Sequence, residues 1–334
     1  MTRASGFAGW RPKVLVTAPL RGEGMDRLQQ LGEIVYDPWI EQHPLRMYNS
    51  AQLAERISAE GADALIVESD LVGPEVFASG VRFVAATRAD PVNVDIEAAR
   101  AAGVPVVRCP GRNADAVAEL AVALLFALAR GVLPADDDVR AGEIYRDGSI
   151  PYQRFRAWEL NGRTAGLIGL GAVGRATKWR FEGLGMKVVA FDPYASDPAL
   201  VSSLEELLAV SDVVSMHAPV TPQTTGMMGT DQFKAMKPGA FYVNTARAKL
   251  HDTDALVEAL QSGHLAGAAL DHFEGEHLPT DHPLVGMTNV VLTPHIGGAT
   301  WDTECRQATI VADELTRLMA GDDLRHAVNP EVLQ

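Results

Sequence analysis

Residues 165–192 decide the fold. They begin with Ala165-Gly166-Leu167-Ile168-Gly169-Leu170-Gly171-Ala172-Val173-Gly174 and end with Val188-Val189-Ala190-Phe191-Asp192. A short apolar run leads into Gly169-x-Gly171-x-x-Gly174, residues 175–184 can continue as a helix, and a second apolar run ends at Asp192. The stretch therefore predicts a strand, a glycine turn, a helix and a second strand.

Each glycine of this turn meets a separate requirement. The first makes the tight turn, the second lets the backbone approach a pyrophosphate, and the third lets the helix pack closely on the strand. The pyrophosphate would lie against the amides at the helix N-terminus. Asp192 follows Gly174 by eighteen residues, close to the spacing of the acid that binds a ribose 2′-hydroxyl. A glycine turn alone can precede any helix, but the flanking strands and the acid favour a dinucleotide site.

Length, charge and cysteine content limit the class of protein. A chain of 334 residues is long enough for two domains, each with its own core. The formal net charge of −14 argues against nucleic acid or an anionic membrane as a partner. Cys109 and Cys305 are the two cysteines, so we expect no disulfide framework and a reducing, cytoplasmic location.

Two segments bear on targeting. Met1 to Pro12 contains no apolar signal region. The most apolar helical segment, Ala116–Ala129, contains Glu119 and is shorter than the ~20 residues that a bilayer requires. We expect it to be a buried core helix.

Strands alternate with helices along both halves of the chain, which predicts right-handed βαβ units and parallel sheets. In the first half, strands are predicted at 13–18, 63–67, 82–86 and 104–107, and helices at 25–31, 51–59 and 96–102. After Asp192, strands are predicted at 212–216, 240–244, 266–270 and 290–292, and helices at 204–209, around Phe233 and at 252–262.

The domain boundaries follow from two interruptions. The polar loop Gly111–Asp115 precedes a long helical pattern from Ala116 to Gly142, which indicates a crossover to a second domain. A last helix, 302–319, follows the glycine pair Gly297-Gly298 and can pack back on the first domain. We predict a discontinuous domain of residues 1–111 and 300–334, and a nucleotide-binding domain of residues 112–299.

Polar residues follow the strands of the nucleotide domain. His217-Ala218-Pro219, Thr245-Ala246-Arg247, Asp271 with Glu274 and Glu276, and Thr293-Pro294-His295 each come directly after a strand. Ligands of parallel sheets bind beyond the carboxyl ends of the strands. An arginine, carboxylates and a histidine there suit hydride transfer to a carbonyl beside a carboxylate. Arginine would bind the anion, histidine would donate the proton, and a carboxylate would keep the histidine charged.

These motifs resemble the D-isomer-specific 2-hydroxyacid dehydrogenases of the phosphoglycerate-dehydrogenase type, without a regulatory domain. The resemblance extends from about Val81 to Met319. It is carried by the glycine turn with Asp192, by the opening of the helix at 113–119, and by residues 244–247, 270–276 and 293–300. It implies an α/β fold of two domains, with a Rossmann-type doubly wound parallel sheet inserted into a smaller flavodoxin-like α/β substrate domain and a cleft between them.

The resemblance also implies an NAD-dependent oxidoreductase acting on a small D-2-hydroxy acid or 2-keto acid. Arg247 would hold the substrate carboxylate and carbonyl, His295 would be the acid or base, and Glu276 would pair with His295. A homodimer through the NAD domain is implied as well.

The remaining implied site residues form two groups. Cofactor contacts are expected from Gly169, Gly171, Ala172, Val173, Gly174, Asp192, His217, Ala218, Pro219, Thr224, Thr245, Ala246, Asp271, Gly297 and Gly298. Substrate contacts are expected from Arg88, Ala89, Asp90, Asn113 and Arg247.

The chain departs from the family pattern at three places. Ala248 stands where glycine is usual after the catalytic arginine, and His277 stands where proline often follows the glutamate. The substrate loop, usually rich in glycine, reads Thr87-Arg88-Ala89-Asp90-Pro91. Since Pro91 removes an amide donor and a guanidinium fits a second carboxylate or a phosphate, we predict that Arg88 binds an anionic substrate tail.

Three alternatives to this interpretation remain. His272, Glu276, His277, Asp281 and His282 could suggest a metal site, but they lack the helical i, i+4 pairing of a zincin. We expect solvated loop histidines and no metal. A relative that uses NAD for partner recognition without turnover is the second alternative, and the complete Arg247, Glu276 and His295 set favours the enzyme. The third alternative is a lyase or hydrolase with the same fold, for which the sequence offers no matching nucleophile arrangement.

Overall fold

The computed structural model describes residues 6–334, so part of the expectation for Met1 to Pro12 lies outside the described residues. The chain divides into two compact units. The first unit is Met1–Arg112 with Thr300–Gln334, and the second unit is Asn113–Ala299. Each unit is built on its own parallel sheet.

The first unit has a five-stranded sheet in the order β2-β1-β3-β4-β5. Its elements are β1 (Lys13–Val16), α1 (Gly22–Leu31), β2 (Glu33–Tyr36), α2 (Ser50–Glu60), β3 (Ala64–Val67), α3 (Pro74–Ala78), β4 (Phe83–Ala86), α4 (Ile96–Ala102) and β5 (Val106–Arg108). Every residue of β3 and β4 is buried, because helices cover both faces of a parallel sheet. Strand β2 and helix α3 were not predicted. Both are short, and β2 is an edge strand of half-buried and exposed residues.

The second unit has a six-stranded sheet in the order β11-β10-β9-β8-β6-β7. Its elements are α5 (Ala114–Ala129), α6 (Val132–Arg140), α7 (Pro151–Arg154), β6 (Thr164–Ile168), α8 (Ala172–Gly183), β7 (Lys187–Phe191), α9 (Leu204–Val210), β8 (Val213–Met216), α10 (Thr230–Ala235), β9 (Ala240–Asn244), α11 (Thr253–Gln261), β10 (Leu265–Leu270) and β11 (Val290–Leu292). Strand β6 pairs with β7 on one side and β8 on the other. The strand order reverses there, so the turn after β6 lies at the point where doubly wound sheets bind ligands.

The expected continuous helix from Ala116 to Gly142 is wrong, because it is divided into α5 and α6. Gly131 between them has φ +56, a left-handed conformation that favours glycine and ends a helix. Leu124 and Leu125 of α5 pack in the core of the sheet. Among the described residues, no single helix is long and apolar enough to cross a membrane. Helices α5 and α6 pass that test together by length and composition, as a pair bent by 64°.

The last long helix, α12 (Trp301–Ala320), completes the first unit. Ala308, Val311 and Leu315 on α12 belong to the same core as Leu28 of α1. A Cβ on Gly24 of α1 would lie 2.2 Å from the backbone nitrogen of Thr309. The two helices therefore pack in backbone contact, which only glycine permits at that position.

Candidate active site

The three glycines after β6 occupy three different environments. Gly169 has φ +93, and a Cβ there would lie 2.7 Å from the backbone nitrogen of Ala218. A Cβ on Gly174 would lie 2.1 Å from the carbonyl oxygen of Gly169, so this glycine is required by packing. A Cβ on Gly171 would have no atom within 4 Å. The turn therefore leaves open space at the glycine where a pyrophosphate is expected to approach.

The N-terminus of α8 and the residue after β7 also suit the binding of a dinucleotide. The N-cap of α8, Gly171, makes no side-chain capping bond, which leaves the N-terminal amides of Ala172 and Val173 to an anion. Asp192 directly follows β7, and its carboxylate accepts the amides of Leu170 at 2.7 Å and Tyr194 at 2.8 Å. These bonds fix the carboxylate beside the glycine turn, where a ribose is expected.

The loop after β8 lies against the same turn. His217 Nε2 is 2.9 Å from the Ser215 hydroxyl, and its Nδ1 is buried without a hydrogen-bond partner. Burial lowers the pKa of His217 to about 4, so its ring is neutral. The Thr224 hydroxyl donates to the carbonyl oxygen of Pro219 at 2.6 Å. Its predicted role in binding the cofactor stays a prediction.

Asn244, the last residue of β9, shapes the loop that carries Arg247. Its Oδ1 accepts the amide of Ala246 and its Nδ2 donates to the carbonyl oxygen of Arg247, both at 2.9 Å. Thr245 in this loop is buried, and its hydroxyl has no hydrogen-bond partner in the part of the chain that the structure describes. Sequence reasoning assigned Asn244 no role, although a polar residue at the end of a buried strand was a usable signal.

Asp271 fastens the loop that carries His295. Its carboxylate accepts the Thr293 hydroxyl at 2.6 Å and the amides of Ile296 and Gly297, each at 2.9 Å. A Cβ on Gly297 would lie 3.0 Å from Asp271 Oδ2. Both carboxylate oxygens thus bind the loop, and the predicted contact of Asp271 with the cofactor stays a prediction.

Asn113 and Gly298 lie together at the two ends of the second unit. A Cβ on Gly298 would lie 3.0 Å from Asn113 Nδ2. Glycine at position 298 therefore makes room for the Asn113 amide, and the predicted substrate and cofactor roles of these two residues stay predictions.

Glu276 and His295 form a direct pair, with Glu276 Oε1 2.9 Å from His295 Nδ1. Both side chains are about half exposed, 57% and 45%. Both residues also have positive φ, 54° and 56°. Such backbone costs about 1–3 kcal/mol for a non-glycine residue and clusters at functional sites. The structure thus brings together the acid and the imidazole that the sequence singled out.

His272 connects Arg247 to this pair. Arg247 Nη1 lies 3.4 Å from His272 Nε2, and the rings of His272 and His295 are 3.8 Å apart between centroids. His272 is 4% exposed, so the expectation of a solvated histidine is wrong at this position. The side chain turns inward two residues after the end of β10, a strand in which five of six residues are buried.

The distances alone would allow a metal ion between three of these side chains. Among the described residues, His272, Glu276 and His295 offer ligand atoms within 4.8 Å of one another, whereas His277, Asp281 and His282 do not join them. The guanidinium of Arg247 opposes a second cation at His272. The arrangement therefore suits an anion held near a proton donor better than a metal.

Arg88, Ala89 and Asp90 lie in the first unit, after β4. Arg88 Nε donates to the carbonyl oxygen of Glu68 at 2.7 Å. The carbonyl oxygen of Ala89 accepts from the Arg108 guanidinium at 3.3 Å, and Asp90 is exposed. The predicted contacts of these residues with substrate stay predictions.

The open glycine turn, the acid after β7 and the strand-end Arg, Glu and His define a nicotinamide-dependent dehydrogenase. The family model of the D-isomer-specific 2-hydroxyacid dehydrogenase NAD-binding domain matches residues 122–297. The chain belongs to the D-isomer-specific 2-hydroxyacid dehydrogenase family. It is an NAD-dependent oxidoreductase that acts on the CH–OH group of a small hydroxy acid or on the corresponding keto acid.

Individual relatives resemble the chain over nearly its whole length. A protein of Bacillus subtilis named as a 2-hydroxyacid dehydrogenase, YoaD, is 37% identical over 91% of this chain and 90% of its own. A glyoxylate reductase of Korarchaeum cryptofilum is 35% identical over 97% and 98%. The crystal structure of the TT0316 protein of Thermus thermophilus has a TM-score of 0.80 and 37% identity, and it covers 95% of this chain and 99% of that one. Two parallel-sheet α/β domains are thus the fold of the family.

Proposed function

We propose that the enzyme interconverts a D-2-hydroxy acid and its 2-keto acid, with His295 as the acid and base, Glu276 as its partner and Arg247 as the ligand of the substrate carboxylate. The observation that carries this proposal is the 2.9 Å contact between Glu276 Oε1 and His295 Nδ1. A carboxylate on Nδ1 fixes the tautomer and orientation of an imidazole and leaves Nε2 to exchange a proton with substrate.

Arg247 supplies the charge that an anionic substrate requires. Its side chain is exposed, and the loop that carries it is held by Asn244. A guanidinium binds a carboxylate through two parallel hydrogen bonds, which orients the neighbouring carbonyl as well as attracting the ion. The same donor polarises the carbonyl oxygen on which negative charge develops.

Bound NADH would supply a hydride to the carbonyl carbon, and bound NAD would accept one in the reverse direction. The chain supplies the proton. In reduction, protonated His295 gives its Nε2 proton to the carbonyl oxygen, so that one hydride and one proton convert the ketone to the alcohol. Glu276 stabilises the charged imidazole before transfer. In oxidation, neutral His295 takes the hydroxyl proton back.

The cofactor would be held by the residues around the glycine turn. The amides at the start of α8 would bind the pyrophosphate, with room provided at Gly171. Asp192 would accept the adenosine ribose hydroxyls. This assignment is supported by the open space and by the fixed carboxylate, and it accounts for Gly169 and Gly174 as turn and packing residues.

The test is steady-state oxidation of NADH with a panel of 2-keto acids: glyoxylate, pyruvate, hydroxypyruvate, and a phosphorylated or dicarboxylic keto acid. We expect turnover with at least one of them and, where the product is chiral, the D enantiomer on chiral chromatography. NADH binding without turnover on the whole panel would instead indicate a protein that uses NAD for recognition. An L-configured product would contradict the proposed placement of His295.

We also propose that a homodimer forms through the second unit. Between residues 132 and 152 it exposes large apolar side chains, among them Val139 at 60%, Tyr145 at 78% and Tyr152 at 80%. Exposed apolar clusters of this kind mark protein interfaces. Light scattering after size exclusion should give twice the chain mass, and Tyr152→Asp should shift the protein towards monomer.

A further inference from the structure

His272 is a buried imidazole that lies among the three residues of the proposed site and has no part in the proton transfer described above. Its Nε2 faces Arg247 Nη1 at 3.4 Å. Its Nδ1 lies 3.8 Å from Glu276 Oε1 and has no hydrogen-bond partner within residues 6–334. Its ring packs on the ring of His295 at 3.8 Å, tilted by 56°. The charged and titratable groups that face it are therefore Arg247, Glu276 and His295.

The neighbours determine the protonation of this ring. A guanidinium can only donate, so the Nε2 that faces Arg247 has to be an acceptor. A neutral imidazole with an unprotonated Nε2 carries its proton on Nδ1, the atom that faces the Glu276 carboxylate. Burial, with the neighbouring His295 and Arg247, lowers the pKa of His272 to about 4, which agrees with a neutral ring at working pH.

We infer that His272 is a positioning residue, which accepts a hydrogen bond from Arg247 at Nε2 and directs its Nδ1–H at Glu276. It thereby holds the substrate-binding guanidinium and the carboxylate partner of His295 in one arrangement. The inference rests on the proposed function for the roles of Arg247, Glu276 and His295. The ring itself touches neither substrate nor cofactor in this assignment.

The two ring nitrogens predict two separable kinetic effects. Loss of the Nε2 acceptor frees the Arg247 side chain and should weaken binding of the keto acid, which raises KM. Loss of the Nδ1–H donor leaves Glu276 less well oriented towards His295, which lowers kcat. A residue that merely filled space would not separate these two effects according to which polar atom is kept.

Three substitutions test the separation. His272→Phe keeps the ring and removes both polar atoms, so we expect KM to rise and kcat to fall, each by about tenfold. His272→Gln can place an amide oxygen near the former Nε2 and should restore KM but not kcat. His272→Asn can place an amide N–H near the former Nδ1 and should restore kcat but not KM. If the Phe variant fails to fold, the Gln and Asn variants still carry the test.

His277→Phe is the matched control, because His277 lies on the same loop outside the cluster; it should leave KM and kcat unchanged. Wild-type kinetics in His272→Phe would overturn the inference. So would equal losses in the Phe, Gln and Asn variants, which would make His272 a packing residue.

A second measurement does not depend on turnover. In protein labelled with ¹⁵N-histidine, the resonances that disappear in His272→Phe are those of His272. We expect a protonated Nδ1 and an unprotonated Nε2 near neutral pH, and the opposite tautomer would overturn the inference. If the proposed function fails, the keto-acid panel gives no turnover while the tautomer can still be read, so the two failures are distinguishable.

Discussion

Each unit passes from its first strand into a helix, and the two turns are built in opposite ways. In the first unit, Leu20 is buried, and its amide and carbonyl both bond to the Tyr36 hydroxyl at 3.1 Å. In the second unit, Gly171 faces open space. The same strand–turn–helix leaves room for the proposed cofactor only where no side chain fills the turn. The first turn is a packing feature, and the second is the proposed pyrophosphate site.

The charged side chains that follow the strands also differ between the two units. In the first unit, Glu68 forms an ion pair with Arg112, accepts from Trp39 Nε1, and receives Arg88 at its carbonyl oxygen. In the second unit, Arg247 and the pair of Glu276 and His295 stand exposed. Charges that neutralise each other in a core are poorly placed for chemistry, whereas exposed and oriented charges can bind an ion.

Removal of His295 should have the largest effect on the rate. His295→Ala deletes the proposed proton donor, and a positioned acid contributes ~10²–10⁴-fold to the rate. We expect kcat to fall by that factor while the NADH dissociation constant, measured by fluorescence titration, is retained. His277→Ala on the neighbouring loop is the control. Undiminished turnover in the His295 variant would place the acid elsewhere.

Cofactor choice should show the next largest effect. Asp192 would face the 2′-phosphate of NADPH, and like charges in contact cost several kcal/mol. We expect kcat/KM for NADH to exceed that for NADPH by about 100-fold or more. Asp192→Asn should lower the ratio of kcat/KM for NADH to kcat/KM for NADPH. Equal use of both cofactors by the wild type would contradict the proposed place of Asp192 on the ribose.

Two glycine substitutions should distinguish the proposed cofactor-binding role of the turn after β6 from its packing role. Gly171→Val places its side chain in open space at φ −70, so the melting temperature should stay unchanged. The NADH dissociation constant should nevertheless rise about 10–100-fold, because the pyrophosphate loses its approach. Gly174→Ala meets the Gly169 carbonyl at 2.1 Å and should lower stability by about 1–3 kcal/mol.

Arg21→Ala in the corresponding turn of the first unit is the control, and it should leave NADH affinity unchanged. Equal NADH affinity in Gly171→Val and wild type would show that the open space at this turn is not the cofactor site.

Arg88→Ala tests whether a strand end of the first unit also selects substrate. Charge-assisted bonds contribute about 1.5–3 kcal/mol, so kcat/KM should fall about 10–100-fold for a phosphorylated or dicarboxylic keto acid and little for pyruvate. Arg108→Ala, which removes the neighbouring bond to the Ala89 carbonyl, is the matched control. Equal losses on every substrate would make Arg88 structural.

The smallest effect concerns pH and stability. Of the described histidines, His217, His251 and His272 have a pKa lowered to about 4, and all three lie in the second unit. Burial lowers the pKa of His251 from an unfolded value of about 6.5. The unfolded chain binds more protons between these values, so stability is complete above about pH 6.5 and falls towards pH 4.

The measurement compares urea unfolding of wild type and His251→Gln near pH 7 and near pH 5. The wild type should lose about 1–2 kcal/mol more than the variant on acidification. A parallel loss in both proteins would exclude His251 as a source of the pH dependence.

Local pattern was sufficient for most of the fold. The glycine turn and the alternation of strands with helices each reflect short-range physical requirements. Strand β2 and helix α3 were not predicted, because a segment of four or five residues is too short to show a clear hydrophobic periodicity. The break between α5 and α6 at Gly131 was not predicted, because the sequence does not reveal the φ of an isolated glycine, which a helix can also contain.

Side-chain direction limited what could be predicted of the site. The contact of Glu276 with His295 followed a recognisable pattern, but the burial of His272 depends on which way one residue turns at the end of β10. The bonds of Asp271 to the loop that carries His295, and the positive φ of residues 276 and 295, arise only in the folded chain. None of them is encoded in the spacing of residues along the chain.

The position of α12 in the sequence determines which unit can be completed first during synthesis. The first unit begins with β1 and α1, but the helix that covers Val14 and Leu28 starts only at Trp301. As the ribosome makes the chain, the second unit has all its strands by residue 292, while the apolar face of the first is still uncovered. The unit that is started first is thus finished last, and a chain that stops near residue 299 leaves that apolar face open to aggregation.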